Sequence, residues 1–309
     1  MTTTTEDPLP DLIRALRNRL PGERVRAAKT LARLGWLARD AIPALVRAVD
    51  DEEAKVREAS AHAVGQMGPD ALPELVRMLG HSDKYVRRNA IWALGKLGPL
   101  ARPALADLCR ALKDADPRAA SGVAQALGNM GTDGGEAVAA LAEAMRGTNI
   151  VLCRLAAKAL SQIGPPALAT LIAHLQHTDP FVRGESALAL GWMGPSARAA
   201  VAVLGRLVRG PHSRDPADTP PPVGGLSRSA VYGRDDQKAA GDSQMVTPTA
   251  PPPAEVSTEE TCRVYAAQAL GRMGPAAAAA LPDLRVAALY GPVALRDAAR
   301  QATRMIQEA

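Results

Sequence analysis

At 309 residues the chain is long enough for two ordinary domains or one extended repeat array. Aromatic residues make up only 3%, and the 47% hydrophobic share leans on Ala, Leu and Val, so close helix contact on small residues is the expected mode of packing. The formal net charge of +5 is spread without a Lys/Arg block, which argues against nucleic acid as a partner, and Cys109, Cys153 and Cys262 are isolated, which argues against a disulfide framework or a zinc site.

The chain opens with Met1 to Pro10, which holds four Thr and two acids but no basic region and no apolar core. It does not read as a signal peptide, and residues 1–8 are expected to form a disordered tail. No apolar run is expected to reach membrane-spanning length, so a soluble, cytoplasmic protein with reduced thiols is the expectation.

From Leu9 onward a thirteen-residue pattern organises the chain and returns seven times. It starts apolar, usually continues with Arg, passes through small residues and closes with Leu-Gly-x-Leu/Met-Gly. Val56 to Gly68, Val86 to Gly98 and Val182 to Gly194 are clear copies. The closing glycines, Gly35, Gly68, Gly98, Gly131, Gly164, Gly194 and Gly274, succeed one another at 30 or 33 residues until the last, which comes after 80. Such a period with helical signals predicts stacked two-helix units. Their first helices, A, are expected near Leu9, Ala41, Leu72, Pro103, Glu136, Leu168, Arg198 and Leu281. Pro43, Pro73, Pro103 and Pro282 suit helix openings. Asp83 and Asp179 precede second helices, B, as N-caps, with Pro180 at a first helical position. The closing Gly suits the backbone just past helix B, and the Pro that often comes next stops the helix.

Residues 210–258 interrupt the seventh unit between its two helices. They carry Pro220-Pro221-Pro222, Gly224-Gly225 and Pro251-Pro252-Pro253 and lose all apolar periodicity. A disordered insert is expected there, either a tolerated loop or an arm reaching back over the array. Residues 9–209 then hold six units and the first helix of the seventh, and 259–309 hold its second helix and a capping eighth unit. The last B helix, about Leu295 to Ile306, lacks the Gly signature and carries Arg300 and Thr303 at otherwise apolar positions. The expected fold is all-α: a right-handed solenoid of about eight helix pairs.

Counting the first residue of the pattern as position 0, three columns read as core. Position +7 is mostly Ala, +8 is Leu or Val, and +11 is Leu, Met or Ile. Position +1 holds Arg24, Arg57, Arg87, Arg183 and Arg263, an Arg ladder. Glu53, Asp83 and Asp179, four residues before Arg57, Arg87 and Arg183, are its expected partners. Positions +3, +6 and +10 form a polar stripe, expected on the concave face. Trp92, Leu188, Trp192 and Tyr265 are large and apolar within it, and three of them belong to units six and seven. They are the candidate partner-binding residues, against the alternative that they pack under the insert or on neighbouring turns.

The run Val86-Arg87-Arg88-Asn89-Ala90-Ile91-Trp92-Ala93-Leu94-Gly95-Lys96-Leu97-Gly98 resembles the consensus of HEAT repeats of the PBS-lyase type. The resemblance covers about residues 9–209 and 259–309. It implies a helical solenoid, and the family includes bilin lyase subunits, deoxyhypusine hydroxylase and noncatalytic binding scaffolds. The hydroxylase holds iron through His-Glu pairs, whereas none of His62, His81, His174, His177 and His212 is followed by Glu. That activity is not expected. No nucleophile, phosphate-loop or metal motif stands elsewhere, and neither catalysis nor a cofactor is expected. The reading is a bacterial, monomeric scaffold that binds a protein or peptide on its concave face, modulated by the insert. A bilin-lyase-like or other chromophore-handling role is the alternative, and neither nucleic acid nor a membrane is an expected partner.

Overall fold

The computed structural model describes residues 8–114, 116–210 and 258–308. Residues 1–7 of the expected tail (1–8) and 211–257 of the expected insert (210–258) lie outside the described residues. Among these the chain forms eight helix pairs and no strand. The A helices are α1 (Leu9–Ala15), α3 (Ile42–Ala48), α5 (Leu72–Met78), α7 (Leu105–Ala111), α9 (Val138–Met145), α11 (Leu168–His174), α13 (Val201–Arg209) and α15 (Leu281–Tyr290). The B helices are α2 (Pro21–Leu34), α4 (Ala54–Gln66), α6 (Lys84–Leu97), α8 (Pro117–Asn129), α10 (Ile150–Ile163), α12 (Pro180–Met193), α14 (Thr258–Met273) and α16 (Val293–Glu308).

Local chemistry sets the helix ends. The carboxylates of Asp83 and Asp179 accept from the backbone N–H of Tyr85 and Phe181 at 2.8 and 2.9 Å, the N-caps expected of them. Asn149 does the same for α10, accepting from Val151 and Leu152. All seven closing glycines have positive φ, from 54° to 80°. At Gly35 and Gly194 ψ is −135° and −138°, a combination open to glycine and almost nothing else.

Each closing Gly leads into a 3-10 helix rather than a simple turn. The link runs seven residues at Gly35–Ala41, Gly98–Ala104 and Gly131–Ala137, but four at Gly68–Ala71 and three at Pro165–Ala167. A 3-10 turn takes about three residues. The two repeat lengths, 30 and 33, therefore differ by one turn of this link. Pro43, Pro73 and Pro282 sit in the first turn of their A helices. Pro103 does not: it lies inside the link, and α7 starts at Leu105.

Each B helix stacks on the next from α2 to α16, while extensive contact between A helices is confined, among the described residues, to α13 and α15. The B side is thus the more continuous ladder. The small residues of the pattern explain how closely it packs. A Cβ added to the Gly at +9 would run into the Ala at +7 of the next unit: 2.7 Å from Ala93 Cβ at Gly65, 3.3 Å from Ala126 Cα at Gly95, 2.9 Å from Ala159 Cα at Gly128, 2.8 Å from Ala269 Cα at Gly191 and 3.0 Å from Ala302 Cα at Gly271. This Gly–Ala contact recurs at five of the seven junctions between B helices and sets their spacing, while Ala32 and Ser161 take the position at the other two. Behind it Leu31, Val64, Leu94, Leu127, Leu160, Leu190 and Leu270 are fully buried, each contributing about 1.5–3 kcal/mol.

The Arg ladder is structural, but its partners differ from those expected. Four of its five guanidinium groups reach forward to the next unit instead of back four residues. Arg24 pairs with Asp51, Arg57 with Asp83 and Arg87 with Asp114, all at 2.7 Å, and Arg183 pairs with Glu259. The same side chains donate to backbone carbonyls of the turn before their own helix, as Arg87 does to His81 and Ser82 at 2.8 and 2.9 Å. An α-helical offset of four cannot satisfy both sets of acceptors, whereas a fork between two layers can. Cys153 replaces Arg in unit five and donates its thiol to Met145 O at 3.0 Å. Burial pushes this thiol up to about 12 and that of Cys262 to about 11.

Unit seven closes across the long sequence gap: α13 packs on α14, and Arg263 donates to the carbonyls of Val208 and Arg209 at 2.9–3.1 Å. One stretch comes near membrane-spanning length. Within Pro180–Arg209 an 18-residue window has a mean hydropathy of 1.3, enough by length and composition alone to pass as a membrane span. The stretch is not one helix, however, because Gly194 at φ 60° and Pro195 break it into α12 and α13, of 14 and 9 residues. Each falls short of the roughly 20 residues a span needs.

Candidate concave binding face

The stripe on the B helices is wider than three positions. A helix advances about 100° per residue, so position −1 lies in the same i, i+4 row as +3. The cleft between α6 and α8 bears this out, since it is lined by Arg118 at −1 together with Gly122, Gln125 and Asn129 at +3, +6 and +10. The sequence reading missed Arg118, Lys55, Tyr85 and Val151 for want of this extra row, although the helical period alone was enough to find it.

The four rows are strongly biased in charge. Exposed cations stand at Arg26, Lys29 and Arg33 on α2, Lys55 on α4, Lys96 on α6 and Arg118 on α8. Lys158 on α10 and Arg272 on α14 continue the series. Arg26 pairs with Glu23 at 3.3 Å, while among the described residues Lys29, Lys55, Arg118, Lys158 and Arg272 enter no ion pair. One carboxylate occupies these rows in all eight B helices. It is Glu185, 2% exposed and held by Arg154 at 3.1 Å. Burial pushes its carboxyl above the usual carboxylate range, against the pull of Arg154. The acids of neighbouring turns are turned into the scaffold instead. Arg88 grips Asp116 through two hydrogen bonds of 2.6 and 2.7 Å and lowers that carboxyl to about 2.

The four expected site residues fall into two places. Trp92 lies on α6, half exposed, with the His62 ring stacked on it at 5.2 Å and Lys96 Nζ 4.7 Å from its ring centre. It forms one wall of the α6–α8 cleft, with Lys96, Arg118 and Gln125 around it. Trp192 and Leu188 lie one turn apart on α12, three B helices away along the stack. Trp192 is 47% exposed and Leu188 half-buried. Tyr265 belongs to the adjoining α14 and packs partly against the core, its Cδ2 3.2 Å from where a Cβ on Gly184 would stand. Arg272 runs its side chain past Gly191, beside Trp192. Trp92 is therefore separate from the other three.

No group of three or more His, Cys, Asp or Glu suited to a metal ion occurs among the described residues. The chemistry of this face is that of noncovalent recognition: cations, carboxamides and isolated aromatic rings on rigid helices.

A family model described as HEAT repeats matches residues 9–81, 72–152 and 138–216. Among solved structures, the CpcE–CpcF complex of phycocyanin lyase from a Nostoc species is similar, at 24% identity over 66% of this chain and 83% of that one, with a TM-score of 0.40. Human deoxyhypusine hydroxylase is similar at 20% identity over 97% and 96%, with a TM-score of 0.35. The Escherichia coli protein YibA is similar at 16% identity over 97% and 92%, with a TM-score of 0.49. No curated protein matches the chain by sequence.

Proposed function

The chain belongs to the HEAT-repeat family, and from that premise we propose that it is a noncatalytic scaffold binding a protein or peptide along its concave face. The observation that carries this reading is the exposure of large rings where the solenoid has no structural use for them. Trp192 is 47% and Trp92 41% exposed on a face whose other exposed positions are mostly polar. An indole left in water on a rigid helix contributes to folding little of what it contributes to a contact. Trp192, Leu188 and Tyr265 serve as the apolar anchor. The described cysteines are all free thiols, which supports a reducing, cytoplasmic setting.

The test is affinity purification from the native host, comparing wild type with a Trp192/Leu188/Tyr265 triple-Ala variant of verified fold. A protein recovered by wild type alone supports the anchor, and equal recovery places the interface elsewhere. With a partner in hand, Trp192→Ala is expected to weaken binding by about 2 kcal/mol and to leave thermal stability nearly unchanged. Early melting with intact binding would make Trp192 a structural residue.

A further inference from the structure

We propose that the α6–α8 cleft around Trp92 is a binding site for a carboxylate side chain, and that the partner of the concave face is an acidic, extended peptide segment. This rests on the concave face being the binding surface, but not on the anchor at Trp192. Three observations support it. Lys96 and Arg118 flank one cleft, both exposed and neither in an ion pair among the described residues. Trp92 lines the same cleft, its ring already engaged by Lys96, so a side chain entering there meets a cation and an aromatic wall together. The surrounding rows hold no free carboxylate: Glu185 is buried, and Asp116 is bound to Arg88.

Charge complementarity calls for an anionic ligand, and the rest of the face decides its class. A polyphosphate backbone would be served by massed guanidinium groups, but many of this chain's Arg side chains are locked into the ladder. Beyond the three cations of α2, the stripe from α4 to α10 sets one cation on each helix among carboxamides such as Gln125 and Gln162, which both donate and accept and so match a peptide main chain. It then continues into the apolar ground of α12, which a sugar–phosphate chain would leave unused. A peptide carrying acidic and aromatic side chains fits both halves.

The test uses the full chain and fluorescence anisotropy. The probes are labelled peptides alternating Glu with Tyr, Gln with Tyr and Lys with Tyr, and a labelled oligo-thymidylate. The Glu–Tyr peptide is expected to bind most tightly. Lys96→Glu with Arg118→Glu, two exposed positions, should weaken it by at least about tenfold, as loss and reversal of steering charges does. Trp92→Ala should weaken it several-fold. Equal binding of the Gln–Tyr peptide, no binding of Glu–Tyr, or no effect of the double charge reversal would each overturn the proposal. Tighter binding of oligo-thymidylate, with a steep salt dependence, would replace the peptide by a nucleic acid. Failure of this site with a native partner that still depends on Trp192 leaves the anchor standing. The converse outcome removes the anchor and keeps this site.

Discussion

Units three and four offer the same four rows to the concave face as units six and seven, and fill them with opposite chemistry. In the first region Trp92 is surrounded by Lys96, Arg118 and Gln125, and every nearby carboxylate is held in an ion pair outside the stripe. In the second, Trp192, Leu188 and Tyr265 share the rows with the one carboxylate they contain, the buried Glu185. The scaffold beneath is the same in both: a Gly at +9 against an Ala at +7, and a fully buried Leu at +8. In a solenoid the layers repeat because stacking demands it, and the exposed rows are free to differ because stacking does not touch them.

The largest effect is expected from breaking the part that is common. Gly191→Val puts a branched side chain where even a Cβ would lie 2.8 Å from Ala269 Cα. It should cost about 3 kcal/mol, seen as a lowered urea midpoint. Gly95→Ala, whose nearest atom is 3.3 Å away, should cost less, and Gly22→Ala, with nothing within 4 Å, should cost nothing. If all three behave alike, layer spacing is not set by these contacts.

Arg87→Ala comes next. It leaves Asp114 and the carbonyls of His81 and Ser82 without their donor, and should cost about 2 kcal/mol of stability. Its effect on binding at Trp92 should be small. A loss of affinity without a loss of stability would instead make the ladder part of the site.

The smallest effects sharpen the contrast through pH. Asp116 is held at about 2 in the folded chain against an ordinary 3.8, so its contribution is complete above 3.8 and is lost as pH falls toward 2. Asp116→Asn should flatten that acid-side decline in the denaturation midpoint. Glu185 has the opposite sign. Its carboxyl is raised by burial, so the folded state loses stability as pH rises through the titration of this group. Glu185→Gln should therefore hold or raise the midpoint at neutral pH while leaving the acid side unchanged. A fall in stability at neutral pH would show that the Arg154 pair outweighs the desolvation of the carboxylate.

Much of this molecule was legible in its sequence. The closing glycines announce a backbone conformation that other residues avoid, and the Ala and Leu columns announce buried faces, because each is a local requirement repeated in every unit. The caps at Asp83 and Asp179 were legible for the same reason. Leu188, Trp192, Tyr265 and Trp92 stood out as exceptions within a column, and the units they fall in already set Trp92 apart. Only the stack brings Arg118 of the next unit beside Trp92. The ladder partners were misread because Arg87 meets Asp114 across a layer, at a distance along the chain that no helical period encodes. The sequence by itself thus determined the unit, since its signals act within a few residues. The tertiary structure decided the pairings between units and the charge of the groove, since those depend on which side chains neighbouring layers bring together.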